Sequence, residues 1–200
     1  MKKLVIFDFD GVIENTLELA LTLVGEQMPG LTLEEFQSWF DTNFYQAVKE
    51  KGIPFDGSVY YPKYETALRE RVLDPEIKKD LETLHEHASL AIVSSSHDDA
   101  LKEYVERNGV AHLFDEVWGA ATHKSKVEKL KGLMKAHHVL PEETVFVTDT
   151  LGDIREAREA GIESVAVTWG FHPKERLLKG NPQSVVETPK ELLEVLSRNV

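Results

Sequence analysis

Short apolar runs recur along the chain at about residues 3–8, 89–94, 115–118, 144–149 and 164–168. They are continuous rather than alternating and too short for a helix, so they read as strands buried on both faces of a parallel sheet. Helix-period segments separate the later runs. Residues 98–108 end at Gly109, residues 124–138 are followed by Pro141, and residues 153–160 end at Gly161. Glycine just past a helical segment is a C-terminal stop signal. Strands alternating with helices predict βαβ units with right-handed crossovers and helices on both sheet faces.

The first interval breaks this rhythm. The chain between the first run and the one at 89–94 is far longer than one crossover helix requires, and residues 14–74 have their own character. They hold nine of the 17 aromatic residues: Phe36, Trp39, Phe40, Phe44, Tyr45, Phe55, Tyr60, Tyr61 and Tyr64. Phe36, Phe40, Phe44 and Val48 step by four, which predicts one helix with an apolar stripe. Thr32-Leu33-Glu34-Glu35 has the form of a capping box, and Pro29-Gly30, Gly52-Ile53-Pro54 and Asp56-Gly57 punctuate the segment. The expectation is a small inserted helical bundle over 14–74, with 1–13 and 75–200 forming an α/β core. The aromatics are expected to fill the interior of the insert, since a small bundle needs large side chains.

The candidate chemistry lies at the ends of the apolar runs. Leu4-Val5-Ile6-Phe7 leads into Asp8-Phe9-Asp10-Gly11-Val12-Ile13-Glu14-Asn15-Thr16. Aspartates at i and i+2 share one side of an extended chain, and Gly11 lets the chain turn away sharply. Val145-Phe146-Val147-Thr148 leads in the same way into Asp149-Thr150-Leu151-Gly152-Asp153. Open α/β sheets place ligands at these strand ends. Crowded carboxylates need a proton or a cation between them. Asp8, Asp149 and Asp153 with a backbone carbonyl make an all-oxygen set suited to Mg²⁺, with Asp10 beside them as a further acidic candidate.

These motifs, in this order, resemble the haloacid dehalogenase (HAD) superfamily, in its phosphatase branch. Asp8 and Asp10 match its DxDGV(I/L)xxT motif, Ser94 its Ser/Thr motif after a strand, Lys124 in Thr122-His123-Lys124-Ser125-Lys126 its lysine, and Asp149 with Asp153 its acidic Dx₃D motif. Many relatives have Gly where this chain has Thr148. The resemblance implies a Rossmann-like (HAD-like) parallel sheet core with a small inserted α-helical cap of type 1. It implies Asp8 as nucleophile and Asp10 as general acid and then general base. Ser94 and Lys124 are implied as phosphate-binding residues, and Asp8, Asp10, Asp149 and Asp153 as the Mg²⁺ site. Ser95 is the alternative to Ser94, and Lys126 and Lys129 are rivals of Lys124. Val167-Thr168-Trp169-Gly170-Phe171-His172-Pro173 and the segment from Val185 to Leu193 are similar to phosphoglycolate phosphatase-like members, which carry a strand, a turn and a final helix there.

Composition narrows the partners. The 200 residues contain no cysteine, so disulfides, a thiolate nucleophile and a Cys-zinc site are excluded, and a reducing, cytoplasmic setting is expected. Asp8 and Asp10 interrupt the apolar run after Lys2-Lys3 too early for a secretory leader, and no run approaches transmembrane length. A formal net charge of −12 argues against nucleic acid and against anionic membranes. The resemblance implies a small phosphorylated substrate as the partner, with a monomer or homodimer expected. The eight histidines form no zinc-ligand pattern. The expected activity is Mg²⁺-dependent phosphate ester hydrolysis through an aspartyl phosphate. A phosphomutase of the same superfamily and a non-catalytic phosphate-binding or regulatory protein are the alternatives. A dehalogenase has no need of Asp10 or of the second acidic pair.

Overall fold

The computed structural model describes residues 2–198. Six parallel strands form one sheet: β1 (Leu4–Phe7), β2 (Ser89–Val93), β3 (Glu116–Trp118), β4 (Thr144–Thr148), β5 (Glu163–Val167) and β6 (Ser184–Val186). Their order is β3-β2-β1-β4-β5-β6. Each of the five apolar runs becomes a strand, and β6 lies in the tail segment where a strand was implied. Strand β1 is central, with Leu4 in register with Ser89 on one side and Thr144 on the other. The connections lead outward in opposite directions from β1 and β4, so a crevice opens above their C-terminal ends.

Strand alternation sorts the core into two layers. Val5, Phe7, Leu90, Ile92, Val145 and Val147 point to one face. There they meet Leu81 and Leu84 of α5 (Pro75–His85), Leu101 and Tyr104 of α6 (Asp98–Arg107), and Leu192 and Leu196 of α10 (Pro189–Ser197). Leu4, Ile6, Ala91, Val93 and Phe146 point to the other face, onto α7 (Lys126–Ala136) and α8 (Leu151–Ala160). Most of these side chains are withdrawn from water, and full burial of such a side chain is worth about 1.5–3 kcal/mol. The predicted stop at Gly161 is present, with the left-handed φ of +82° that glycine adopts without a steric cost.

The insert between β1 and β2 is helical: α1 (Leu17–Gln27), α2 (Leu33–Ser38), α3 (Phe44–Lys51) and α4 (Gly57–Arg69). Thr32 caps α2, its Oγ accepting the Glu35 N–H at 3.2 Å. The single striped helix expected from Phe36 to Val48 is corrected to three pieces: α2, a 3₁₀ turn over Trp39–Asp41, and α3. The break has a local cause. Asn43 Oδ1 accepts the Tyr45 and Gln46 N–H groups and so starts a new helix. Asp41 is drawn aside by the Arg176 guanidinium, with contacts of 2.7 and 2.8 Å. Arg176 belongs to the short helix α9 (Lys174–Leu177) of the core.

The two chain segments that enter and leave the insert are tied together. Arg71 donates to Glu14 at 2.6 Å and to the Asn15 carbonyl at 3.2 Å, while Tyr104 of the core donates to the other Glu14 oxygen at 2.6 Å.

Candidate active site

Asp8 prolongs β1, its N–H donating to the Val147 carbonyl at 2.8 Å. Its carboxylate is buried, one oxygen accepting the Phe9 N–H at 2.7 Å and the other the Lys126 ammonium at 2.7 Å. Asp149 follows β4 in the adjacent position, and Asp153 lies in the first turn of α8. Oxygens of Asp8, Asp149 and Asp153 all lie within 4.8 Å of one another. Close backbone approach makes this cluster possible. Gly11 turns with φ +77°, and a Cβ there would sit 1.9 Å from Asp149 Oδ2. Gly170 presses on the same oxygen, which also accepts the Phe171 N–H at 2.6 Å.

Thr148 replaces the glycine of many relatives without disturbing the acids. Its hydroxyl donates to Asp153 Oδ2 at 2.8 Å and accepts the Thr150 N–H at 3.3 Å. Thr150 in turn caps α8 through the Asp153 N–H.

Burial, reinforced by Asp153 and Asp149, pushes the Asp8 carboxyl well above the ordinary carboxylate range, although Lys126 pulls it down. Burial, with Asp153 adding to it, raises Asp149 to about 8 against the pull of the Phe171 N–H. Burial acts the same way on Asp153, but Lys126 and its hydrogen bonds prevail and hold it below the ordinary value. Lys126 stays firmly protonated, because its two carboxylates outweigh the effect of burial. One ammonium therefore serves three buried carboxylates. Asp149 Oδ1 is also buried with no hydrogen-bond partner among the described residues. An all-carboxylate set with an unsatisfied buried oxygen fits a hard divalent cation such as Mg²⁺.

One residue assignment changes. Lys124 is exposed, its ammonium lying over the Tyr45 ring at 5.2 Å, and it does not reach the acids. Lys126, two residues on at the start of α7, is buried and donates 2.7 Å hydrogen bonds to Asp8 and Asp153. The chain turns into the helix at Ser125, whose hydroxyl caps it, and that turn aims Lys126 inward. Asp10 also stands apart, its carboxylate lying outside the three-acid cluster. One oxygen accepts from Thr16 at 2.7 Å and from Tyr64, and the other from Ser96 at 2.8 Å and Ser94 at 3.3 Å. Four hydroxyls hold it facing the insert.

Ser94 stands at the end of β2 as expected, fully buried, its Oγ also accepting the Ser96 N–H at 2.9 Å. Ser95 and Ser96 reach the wall of the cavity beside the acids. Lys129 supports this loop from below, bonding to the Ser94 carbonyl and, at 3.2 Å, to the Gly119 carbonyl.

His172 and Tyr64 carried no sequence signal of a role. The His172 N–H donates to the Asp149 carbonyl at 3.2 Å, and its Nδ1 accepts the Leu151 N–H at 3.0 Å. The Nε2–H then faces the Gln37 carbonyl of the insert at 2.8 Å. Only the three-dimensional meeting of α2, the β5–α9 loop and α8 reveals that bridge.

The model for haloacid dehalogenase-like hydrolases matches residues 5–167. The chain belongs to that family. It is 29% identical to phosphoglycolate phosphatase of Aliivibrio fischeri, over 98% of this chain and 96% of that protein. It is 24% identical to phosphoglycolate phosphatase of Synechococcus elongatus, over 97% of each. Among solved structures, a haloacid dehalogenase-like hydrolase from Streptococcus pneumoniae superposes with a TM-score of 0.79, at 22% identity over 98% of each chain. That likeness supports the fold. Among the described residues, no helix is long and apolar enough to cross a membrane.

Proposed function

We propose that the protein hydrolyses a small phosphomonoester through an aspartyl phosphate on Asp8. The observation that carries this reading is the pairing of a buried Asp8 carboxylate with Lys126 at 2.7 Å, beside the acids Asp149 and Asp153. Asp8 attacks phosphorus, forming the aspartyl O–P bond as the bond to the leaving oxygen breaks. Asp10, delivered to the same cavity by β1, gives its proton to that leaving oxygen. Water then attacks phosphorus and surrenders a proton to Asp10 as the aspartyl O–P bond breaks, which regenerates Asp8 and releases inorganic phosphate. Lys126 offsets charge on Asp8 and on the phosphoryl oxygens, while Ser94, Ser95 and Ser96 supply hydroxyls at the same strand end. Asp8, Asp149 and Asp153 are the residues that would hold Mg²⁺, which when bound supplies positive charge opposite the phosphoryl oxygens.

The insert serves as a cap over the substrate. It carries eleven acidic and five basic residues between positions 14 and 74, a net −6, which disfavours polyanionic substrates. Tyr64, Gln37 and Asn43 of the insert all bond to the core side of the site, so closure and active-site order are linked. The names of the relatives bring phosphoglycolate forward as one candidate. The test is phosphate release across a panel of metabolite phosphates, with Mg²⁺ and with chelator, for the parent and Asp8→Asn. Release that requires Mg²⁺ and disappears in Asp8→Asn supports the reading, and equal release by both proteins refutes it.

A further inference from the structure

The cavity over Asp8 and Asp10 has a volume of about 90 Å³, and its floor and its walls differ in chemistry. The floor is formed by Asp8, Asp10, Asp153 and Lys126. The walls are rings from the insert and one from the core: Phe36, Phe40, Phe44, Phe55, Tyr60 and Phe171. These rings touch in sequence. Phe171 meets Phe40 at 4.9 Å, Phe40 stacks on Phe44 at 5.5 Å, Phe44 meets Phe55 at 5.2 Å, and Phe55 meets Tyr60 at 5.3 Å. These rings pack with Trp39 and Ala47 in the interior of the insert, as expected, and present edges or faces to the cavity as well.

Charge sharpens the contrast. Lys126 is the one basic residue on the cavity wall among the described residues, and it is already shared by Asp8 and Asp153. Arg176 is committed to the Asp41 carboxylate and Arg155 to the Asp41 carbonyl. A substrate carboxylate would therefore enter among Asp10, Asp153 and Glu156, with Lys124 held over the Tyr45 ring outside the cavity lining, and like charges at close range oppose binding. Two of the polar wall groups, Asn43 and Glu156, are engaged, while Thr42, Tyr61 and Ser95 also line the wall. Asn43 donates to Glu156 and caps α3, and Glu156 accepts the Lys126 N–H at 3.0 Å. A leaving group rich in hydroxyls would still meet rings over much of the wall.

From the ring-lined walls and the lack of a spare cation in the cavity lining we infer that the leaving group is an uncharged, mainly apolar alcohol no larger than a phenylethyl group. This inference rests on the phosphatase reading and narrows its substrate class. A phosphate ester of such an alcohol puts its charge on the acidic, cation-binding floor and its apolar body against Phe44, Phe55 and Tyr60.

The test compares kcat/KM for 2-phenylethyl phosphate, ethyl phosphate, 2-phosphoglycolate and glucose 6-phosphate. All four leave as alkoxides, so intrinsic leaving-group ability does not set the order. p-Nitrophenyl phosphate serves as the general reporter of phosphatase activity. The expected result is a preference of about tenfold or more for 2-phenylethyl phosphate over each of the other three alkyl esters. Phe55→Ala should then lower the ratio of 2-phenylethyl to ethyl phosphate by a similar factor, and Phe55→Leu should restore part of it. Equal or better turnover of 2-phosphoglycolate or glucose 6-phosphate overturns the inference and leaves the phosphatase reading standing. No Mg²⁺-dependent turnover of p-nitrophenyl phosphate overturns the phosphatase reading and the inference with it.

Discussion

Lys126 Nζ lies 2.7 Å from Asp8 Oδ2 and 2.7 Å from Asp153 Oδ2, so one buried ammonium bridges the strand end of β1 and the first turn of α8. Lys124 stands outside this arrangement. Lys126→Ala should lower kcat/KM by about 10²–10³, the scale of losing one preorganised charge partner. Lys124→Ala should remain within about threefold of the parent, as substitutions away from such features do. Steady-state phosphate release on both variants decides the assignment, and the opposite order would return the role to Lys124.

The same lysine shows where sequence reading stops. The strand ends bearing Asp8, Ser94 and Asp149 are legible because an apolar run must be buried and its next residue must emerge at the sheet edge. Lys124 and Lys126 have no such frame. One precedes α7 and the other begins it, and only the turn at Ser125 fixes which one faces inward. The step-of-four pattern from Phe36 to Val48 misleads for a related reason. Periodicity sees spacing, while the chain is broken by Asn43 capping and by the pull of Arg176 on Asp41, contacts made across 135 residues in the second case. The roles of Tyr64 and His172 at the site are not legible in the sequence, since their partners come from distant elements.

Tyr64 and Asp10 give a second prediction. Tyr64→Phe removes one of four hydroxyl donors from Asp10 and leaves a ring of nearly the same shape. If Asp10 protonates the leaving oxygen, the loss should fall on kcat by about tenfold for an alkyl phosphate and be clearly smaller for an aryl phosphate that leaves unaided. Equal losses on both substrates would show that the hydroxyl serves packing alone.

The acid cluster predicts a reciprocal effect of cation on stability. Mg²⁺ at about 100 times its dissociation constant should raise unfolding stability by about 2.7 kcal/mol, read as a Tm increase of roughly 5–10 °C for a chain of this size. Asp149→Asn should lose most of that gain while matching or exceeding the parent in chelator, because it relieves crowding among three buried carboxylates. Thermal melts with and without Mg²⁺ measure both effects. An unchanged Mg²⁺ response in Asp149→Asn would remove it from the site.

Asp41 and Arg176 join the insert to the core and predict a pH dependence. Burial alone would raise the Asp41 carboxyl, but the Arg176 guanidinium prevails and holds it below its ordinary value. A depressed folded-state pKa contributes stability that is present above the unfolded value near 3.8 and is lost as pH falls through the folded value. Asp41→Asn should therefore be less stable than the parent at pH 7, and the gap should narrow as pH falls below about 4. Denaturant unfolding at the two pH values checks the sign, and a gap that widens in acid would contradict it.

The central claim is that phosphate passes through Asp8. Asp10→Asn should slow the water step more than the transfer step when the leaving group is aryl, so the phosphoenzyme accumulates. The most direct measurement is an acid quench of Asp10→Asn mixed with p-nitrophenyl phosphate and Mg²⁺, followed by peptide mass spectrometry. Phosphate should appear on the peptide containing Asp8, located at Asp8 by fragmentation and absent when Asp8 is also changed to Asn. Phosphate on another residue, or full turnover by the Asp8→Asn protein, would contradict the central claim.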